Sequence, residues 1–252
     1  LEGASFQATE TMRNENSNRD NMGYANVIYG MNWAPVGYTS FDMNNVAGYT
    51  TLGSVTVNRG GEYYDGYFYG YNNSGVFYKI EPATGSVVEQ HSTSNTTVVA
   101  MAYNYANNTM YGINNGGSTS GLVTIDLTTG ATSSVASLST SVMTLSIDLN
   151  GNAYAIEIST GMLYNVDLTN GNVTAIGSTG HAVNYVQCAN FDHNTETLYW
   201  FQLSSGSDAG LYTVNTTTGA TTLVQSMTGE VTSFFVPYTP GSGQGGNGNN
   251  WL

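Results

Sequence analysis

Cations are nearly missing from this sequence. Lys and Arg together number 4 against 17 Asp and Glu, which gives a formal net charge of −13, and only 8% of the residues are charged. An average soluble domain has about 25% charged residues. With four cations, Arg13, Arg19, Arg59 and Lys79, the chain cannot neutralise a phosphate backbone, so we predict no nucleic-acid binding. An anionic membrane surface would repel the chain as well. Its charge is compatible with divalent cations, neutral glycans or proteins as partners.

Cysteine and long apolar runs are scarce too. Cys188 is the single cysteine, so no intrachain disulfide can form. It lies in an apolar strand pattern with no electropositive neighbour to lower the pKa of its thiol, which predicts a buried side chain rather than a nucleophile. No apolar run reaches the ~18 residues of a membrane span, so we predict no membrane insertion. The low charge, the abundant Ser, Thr, Asn and Gly and the 19 tyrosines indicate an extracellular or cell-surface protein.

Helical periodicity is absent, and a repeated unit stands in its place. A glycine, an alternating apolar run, an acid or amide and then Thr/Asn-Gly recur at 75–85, 121–130, 161–171 and 210–219, with a weaker copy from Gly37. The acid-or-amide position falls at residues 42, 81, 126, 167 and 215, so successive copies are 39, 45, 41 and 48 residues apart. Repeats of this length with strand pattern are typical of β-propeller blades.

Each full repeat reads as four short strands separated by Gly- and Asn-rich turns. The first copy lacks its innermost strand and begins with a second strand near residue 27, whereas segment 230–237 reads as an innermost strand with no blade after it. Pairing the two would remove an open sheet edge. We therefore predict an all-β, five-bladed β-propeller over residues 25–239, closed in blade 1 by the N- and C-terminal strands. A polar arm at 1–24 and a Gly/Asn-rich tail at 240–252 flank it, and both are predicted to be disordered alone.

The unit Leu-Tyr-x-Val-Asp-x-Thr-x-Gly at 163–171 resembles the Asp-x-x-Thr-Gly repeats of secreted bacterial propellers of the YVTN type, and also quinoprotein (PQQ) repeats. The resemblance covers residues 37–239. It implies that the loops between second and third strands, and between fourth and first strands, share a ligand-binding face. The tryptophan that follows the motif in quinoproteins is missing from 86–90, 131–135 and 172–176, so no quinone cofactor is expected.

Several residues on that face are candidates for a ligand site. The longer insertions at 114–120 and 204–209 both join second to third strands, and Trp33, at the corresponding place in blade 1, could stack on a sugar ring. Two further loops precede innermost strands and could form a polar rim around the channel mouth; their residues are Asn58, Arg59 and Glu62 in blade 2 and His181, Asn184 and Tyr185 in blade 5. Ordinary packing or solvation explains each of these residues more simply.

Metal and modification sites have weaker support. Asp65, Asp148 and Asp192 each end an innermost strand and could hold a Ca²⁺ between blades, although a turn-forming role accounts for them more simply. The three histidines have no zinc-ligand spacing. Sequons occur at Asn72, Asn95, Asn107, Asn172 and Asn215, which are possible N-glycosylation sites.

The leading hypothesis from the sequence is a non-catalytic structural or adhesive module. It would self-assemble, as a filament or surface-layer subunit does, or dock to neighbouring proteins through its arm and tail. A lectin-like, carbohydrate-binding propeller using Trp33 is the alternative. A glycosidase or lyase with Glu62 and Glu230 at the channel mouth is a third possibility, since two facing carboxylates suffice for that chemistry.

Overall fold

A computed structural model describes residues 27–33, 36–115, 119–184, 186–203 and 209–240. These residues form five four-stranded antiparallel sheets, each numbered below from its innermost strand outwards. Blade 1 consists of β20 (Val231–Phe235), β1 (Val27–Trp33), β2 (Val36–Asp42) and β3 (Asn45–Gly53), and blade 2 of β4 (Gly61–Tyr64), β5 (Tyr67–Tyr71), β6 (Val76–Glu81) and β7 (Ser86–Ser92). Blade 3 consists of β8 (Val98–Asn104), β9 (Thr109–Asn115), β10 (Ser120–Ile125) and β11 (Thr132–Ser137). Blade 4 consists of β12 (Ser146–Ile147), β13 (Ala153–Ile156), β14 (Met162–Val166) and β15 (Val173–Ser178), and blade 5 of β16 (Cys188–Asp192), β17 (Thr197–Gln202), β18 (Gly210–Val214) and β19 (Thr221–Ser226).

The innermost strands form a closed ring around a central channel. Each of β20, β4, β8, β12 and β16 contacts the next, and β16 contacts β20 again. In blade 1, β20 pairs antiparallel with β1, with Tyr29 opposite Phe235 and Met31 opposite Ser233. The predicted five-bladed propeller, closed by its N- and C-terminal strands, is therefore confirmed.

The ring has two distinct faces. We name the face where the innermost strands begin the upper face and the face where they end the lower face. The loops from second to third strands lie on the upper face, and the turns from first to second strands lie on the lower face. Because β1 starts and β20 ends at the lower face, the segments before Val27 and after Pro240 both leave from there.

The repeated Thr/Asn-Gly turn joins neighbouring blades. The glycine after each motif has a positive φ of 70° to 79°, at Gly85, Gly130, Gly171 and Gly219. A Cβ at Gly130 would lie 2.5 Å from Phe77 of the preceding blade, and one at Gly219 would lie 2.5 Å from the Gly177 carbonyl. Glycine is thus required both by the backbone conformation and by the approach of the next blade.

The core is divided among the five blade interfaces. Each cluster of buried apolar side chains draws on two adjacent blades; Phe41, Phe201 and Phe234, for example, pack between blades 5 and 1. Blade 4 departs from its predicted pattern, because its first strand covers only Ser146–Ile147 while Val142 makes an isolated bridge to Glu157. Among the described residues, no helix has the length and apolar character that crossing a membrane requires.

Candidate functional site

Small residues bring the innermost strands so close together that the channel is nearly filled. A Cβ on Gly60 would lie 2.7 Å from the Ala100 backbone of β8, and one on Gly61 would lie 3.2 Å from the Ser233 Cβ of β20. The remaining cavity has a volume of about 10 Å³, which is room for one water molecule. Cys188 lines it with its thiol donating to the Val231 carbonyl at 3.1 Å. Burial raises the pKa of this thiol well above its usual value, consistent with the predicted inert role.

A carboxylate lies inside the channel, on the lower side of this cavity. Glu62, the second residue of β4, is 6% exposed. The Asn190 amide of β16 donates to its two oxygens at 3.1 and 3.2 Å and also to the Phe234 carbonyl of β20 at 3.1 Å. The backbone N–H of Tyr63 donates to the same carboxylate at 2.6 Å. One buried acid and one amide thereby connect blades 1, 2 and 5.

Burial dominates the electrostatics of Glu62. Desolvation raises the pKa of its carboxyl to about 7, and the Asn190 amide, the nearby His193 and the backbone N–H groups of Tyr63 and Tyr103 oppose that rise. The ordinary value is 4.5, so the group changes its protonation state near neutral pH. A charged carboxylate in this position depends on its hydrogen-bond donors for stabilisation.

Three rings close the channel below Glu62. Tyr105 of blade 3, His193 of blade 5 and Tyr238, which follows β20, lie pairwise 5.2 to 5.3 Å apart between ring centroids. These three residues cover the lower end of the channel, and we call them the aromatic roof. His193 Nδ1 lies 3.0 Å from Glu196 Oε1. Burial, followed by the proximity of Glu62, raises the pKa of the Tyr105 phenol, as expected for a ring beside a buried acid.

The described residues of the predicted upper-face rim each have partners close to their own loop, and the rim itself stays a prediction. Asn58 is buried and accepts a hydrogen bond from the Asn73 backbone N–H at 2.8 Å. The Arg59 backbone N–H donates to the Tyr71 carbonyl at 3.1 Å, and that of Asn184 to the Leu203 carbonyl at 3.4 Å. His181 contacts Thr221 at 3.0 Å and packs against Trp200 and Tyr212. Glu62 lies within the channel rather than on its rim, because it belongs to β4 and not to the preceding loop.

Two aromatic candidates lie beyond what can be described. The Trp33 side chain and Tyr185 fall outside the described residues, as do 116–118 and 204–208 in the two insertions. The arm at 1–24 and the tail from residue 241 onward also fall outside them. The lectin-like reading therefore stays a prediction.

Each of the three candidate metal-binding aspartates lies at the turn that follows its own innermost strand. Asp148 accepts hydrogen bonds from the backbone N–H groups of Asn150 and Asn152, at 3.0 and 2.8 Å. Asp192 accepts from the Asn194 backbone at 3.1 Å, and Asp65 has a positive φ of 48° in the turn after β4. Within the described ranges, no three acid, His or Cys side chains come together as metal ligands would. Calcium binding stays a prediction without geometric support.

The sequons differ in exposure. Asn107, Asn172 and Asn215 are exposed, whereas Asn72 and Asn95 are half-buried. The amide nitrogens of Asn72, Asn95 and Asn107 donate to the Tyr78 hydroxyl at 3.2 Å, the Gly130 carbonyl at 3.0 Å and the Tyr111 hydroxyl at 3.1 Å, respectively. Because a glycan attaches to this nitrogen and would compete with these contacts, the exposed Asn172 and Asn215 are the better acceptor candidates.

The channel offers little room for catalysis. Glu230, half-buried with a pKa raised by desolvation, precedes β20 at the upper face, whereas Glu62 lies below the cavity. Enzyme pockets for small molecules have volumes of roughly 300–1,000 Å³, far above the ~10 Å³ of the cavity between the innermost strands. Among the described residues, neither Glu62 nor Glu230 lines that cavity, so the glycosidase or lyase alternative stays a prediction. Sequence reasoning also missed Asn190, Tyr105 and Tyr238, and only the Pro237-Tyr238 pair after the last strand could have hinted at a closing ring.

Comparison with known proteins supports the fold. No protein-family model matches the chain, and no curated protein is similar to it in sequence. Among solved structures, a chain of a nidogen/laminin complex has a TM-score of 0.52 at 9% identity, over 83% of this chain and 80% of that one. Hydrazine synthase from Kuenenia stuttgartiensis has a TM-score of 0.42 at 12% identity, and BamB from Moraxella catarrhalis 0.39 at 15%. Each of these two matches covers 66% of this chain, which spans 46% of the first and 48% of the second. At these identities the likeness reaches only as far as the fold, and of these three matches only the nidogen/laminin chain has a TM-score above 0.5.

Proposed function

We propose that this protein is a non-catalytic, extracellular structural or adhesive propeller, which self-assembles or docks to partner proteins through its N-terminal arm and its C-terminal tail. The observation that carries the proposal is the common origin of these two segments. The last described residues next to both segments follow from the lower ends of β1 and β20, the strand pair in which Tyr29 lies opposite Phe235. A partner bound to either segment would meet the same face of the propeller.

The closed channel supports this function over a catalytic one. Among the described residues, the cavity at the axis has a volume of about 10 Å³, and the aromatic roof lies at its lower end. Propellers otherwise present large rigid surfaces for binding. The nidogen/laminin complex, which shares the fold, is itself an assembly of two proteins.

The negative net charge of the chain opposes association of identical copies, so assembly requires a specific contact. A net charge of −13 causes identical bodies to repel one another at low ionic strength. Association of such bodies requires a contact whose free energy exceeds this repulsion. The arm carries Arg13 and Arg19 beside the four acids Glu2, Glu10, Glu15 and Asp20, so its net charge is −2 and its contact with an acidic neighbour must be stabilised by backbone hydrogen bonds and apolar burial.

Truncation tests the proposal. The full chain and a variant lacking residues 1–24 and 240–252 are compared by size-exclusion chromatography with light scattering, at low and physiological salt. We expect the full chain to form assemblies, or to bind a surface partner, and the truncated chain to remain a folded monomer. If the truncated chain associates as the full chain does, the proposed function is wrong.

A further inference from the structure

The outermost strand of blade 2 differs from its counterparts in the other four blades. In blades 1, 3, 4 and 5, the pairing of third and fourth strands contains a bulge near the upper end. The bulged residue is apolar each time and packs against a core cluster between blades; these residues are Leu52, Val135, Ile176 and Val224. The bulge therefore turns one side chain of each outer strand inward.

In blade 2 the bulge lies at the other end of the strand pair. Lys79 pairs with Glu89 and Ile80 with Val87, so Val88 is the extra residue. Val88 is 46% exposed and Val87 43% exposed. Of the seven residues of β7, six are exposed and one is half-buried. Within the described part of the chain, β7 contributes no side chain to the core clusters.

These features make β7 suited to strand addition. An outermost strand presents unpaired backbone N–H and C=O groups, and an exposed apolar edge is a template for another strand. Proteins usually protect such edges with charge or with a bulge that twists the edge away. Here the nearby Lys79 and Glu89 pair with each other at 3.1 Å, and the bulge exposes a valine instead of burying one.

The chain itself contains a segment of the matching kind. Residues 4–9 alternate, with Ala4, Phe6 and Ala8 on one side of a strand and Ser5, Gln7 and Thr9 on the other, and Glu10 interrupts the apolar side before Met12. The 26 residues before β1 could extend to about 90 Å at most, which is long enough to reach an adjacent molecule.

We propose that β7 is the acceptor edge for the N-terminal arm of a second copy of this chain, which adds to blade 2 as a fifth strand. This inference rests on the proposed function and names the surface that the arm engages. The two valines would supply an apolar contact for Phe6 or Met12, and backbone hydrogen bonds would supply the rest of the affinity.

A matched pair of variants tests the acceptor edge. Val88→Lys places a charge on β7, and Leu223→Lys, at a residue 40% exposed on the outermost strand of blade 5, is the control. Both changes make the net charge less negative by one, so added repulsion cannot explain a loss of assembly. We expect Val88→Lys to abolish the assembly seen in light scattering and Leu223→Lys to leave it unchanged, with circular dichroism confirming that both fold.

A peptide experiment on unmodified β7 completes the test. A synthetic peptide of residues 1–24 is added to the chain lacking those residues, and amide hydrogen exchange is followed. We expect protection of the amides of β7, and peptide binding at least tenfold weaker in Val88→Lys than in Leu223→Lys. Protection elsewhere, equal binding by both variants, no binding, or protection of β7 in a monomeric full chain would each overturn the inference. If arm deletion abolishes assembly while Val88→Lys assembles normally, the acceptor edge is wrong and the proposed function survives.

Discussion

The rings of His193 and Tyr105 lie 5.2 Å apart with their planes at 78°, although they belong to blades 5 and 3. Tyr238 joins both rings at 5.3 Å. These contacts connect blades 1, 3 and 5 at the lower face, and two of the three rings, His193 and Tyr105, lie near enough to Glu62 to interact with it electrostatically. We infer that the roof contributes to the burial of this carboxylate.

Removing one ring of the roof should change the titration of Glu62. Tyr238→Ala opens a path for water, so we expect the pKa of Glu62 to fall from about 7 toward its ordinary value, because desolvation is the largest cause of the rise. The stability loss should be about 2 kcal/mol. Carbon-13 NMR of the labelled carboxyl measures the pKa. Tyr164→Ala, at a half-buried ring on β14, is the control, and an equal shift in that variant would contradict the role of the roof.

The stability of the protein should fall as pH rises from 4.5 to 7. In that window the unfolded chain has released the Glu62 proton while the folded chain retains it, so the free energy of unfolding decreases with pH. The rise from 4.5 to about 7 corresponds to roughly 3 kcal/mol at about 1.4 kcal/mol per pKa unit. Urea unfolding of the wild type and of Glu62→Gln across this range measures the contribution of Glu62 to the pH dependence of stability. The half-buried Glu230, whose pKa is also raised, is present in both proteins, so its contribution cancels in the comparison. Parallel pH profiles would show that Glu62 is not responsible.

The turn glycines should be intolerant of a side chain for two separable reasons. Gly66 has a φ of 85° with open space around its Cβ position, whereas Gly130 has a φ of 71° and would place a Cβ 2.5 Å from Phe77. Gly66→Ala should cost roughly 1 kcal/mol from backbone strain. Gly130→Ala should cost about 2 kcal/mol more, because the blades must also move apart. Thermal unfolding of both variants provides the measurement, and equal losses would refute the blade-docking role.

The acid of the repeat should matter as a hydrogen-bond acceptor and not as a charge. Asp126 Oδ1 accepts from the Thr128 and Thr129 backbone N–H groups at 2.7 and 3.3 Å, and the Asn215 side-chain oxygen does the same in blade 5 at 2.9 and 3.0 Å. Asp126→Asn should therefore be nearly neutral, whereas Asp126→Ala should cost about 1 kcal/mol. Chemical denaturation distinguishes the two, and an asparagine variant as unstable as the alanine variant would indicate a role for the charge.

The sequence alone determined the strands, the number of blades and the way the ring closes. Alternating apolar residues and Thr/Asn-Gly turns are local signals, since they depend on the pleat of a strand and on the positive φ of a turn residue. The unpaired innermost strand at 230–237 could be matched to the incomplete first blade because an open edge is unfavourable. Each of these inferences requires only the identity of residues that are adjacent in sequence, or the number of strands in each repeat.

Only the tertiary structure decided where Glu62 lies and what the edge strands expose. Glu62 and Asn190 are 128 residues apart, and their pairing depends on the height of each strand along the channel axis. The inward or outward turn of Val88 depends on where a bulge forms in the pairing of β6 and β7. Alternation assigns a side chain to one face of its sheet, but the neighbour that this face meets is set by the packing of five blades into a ring.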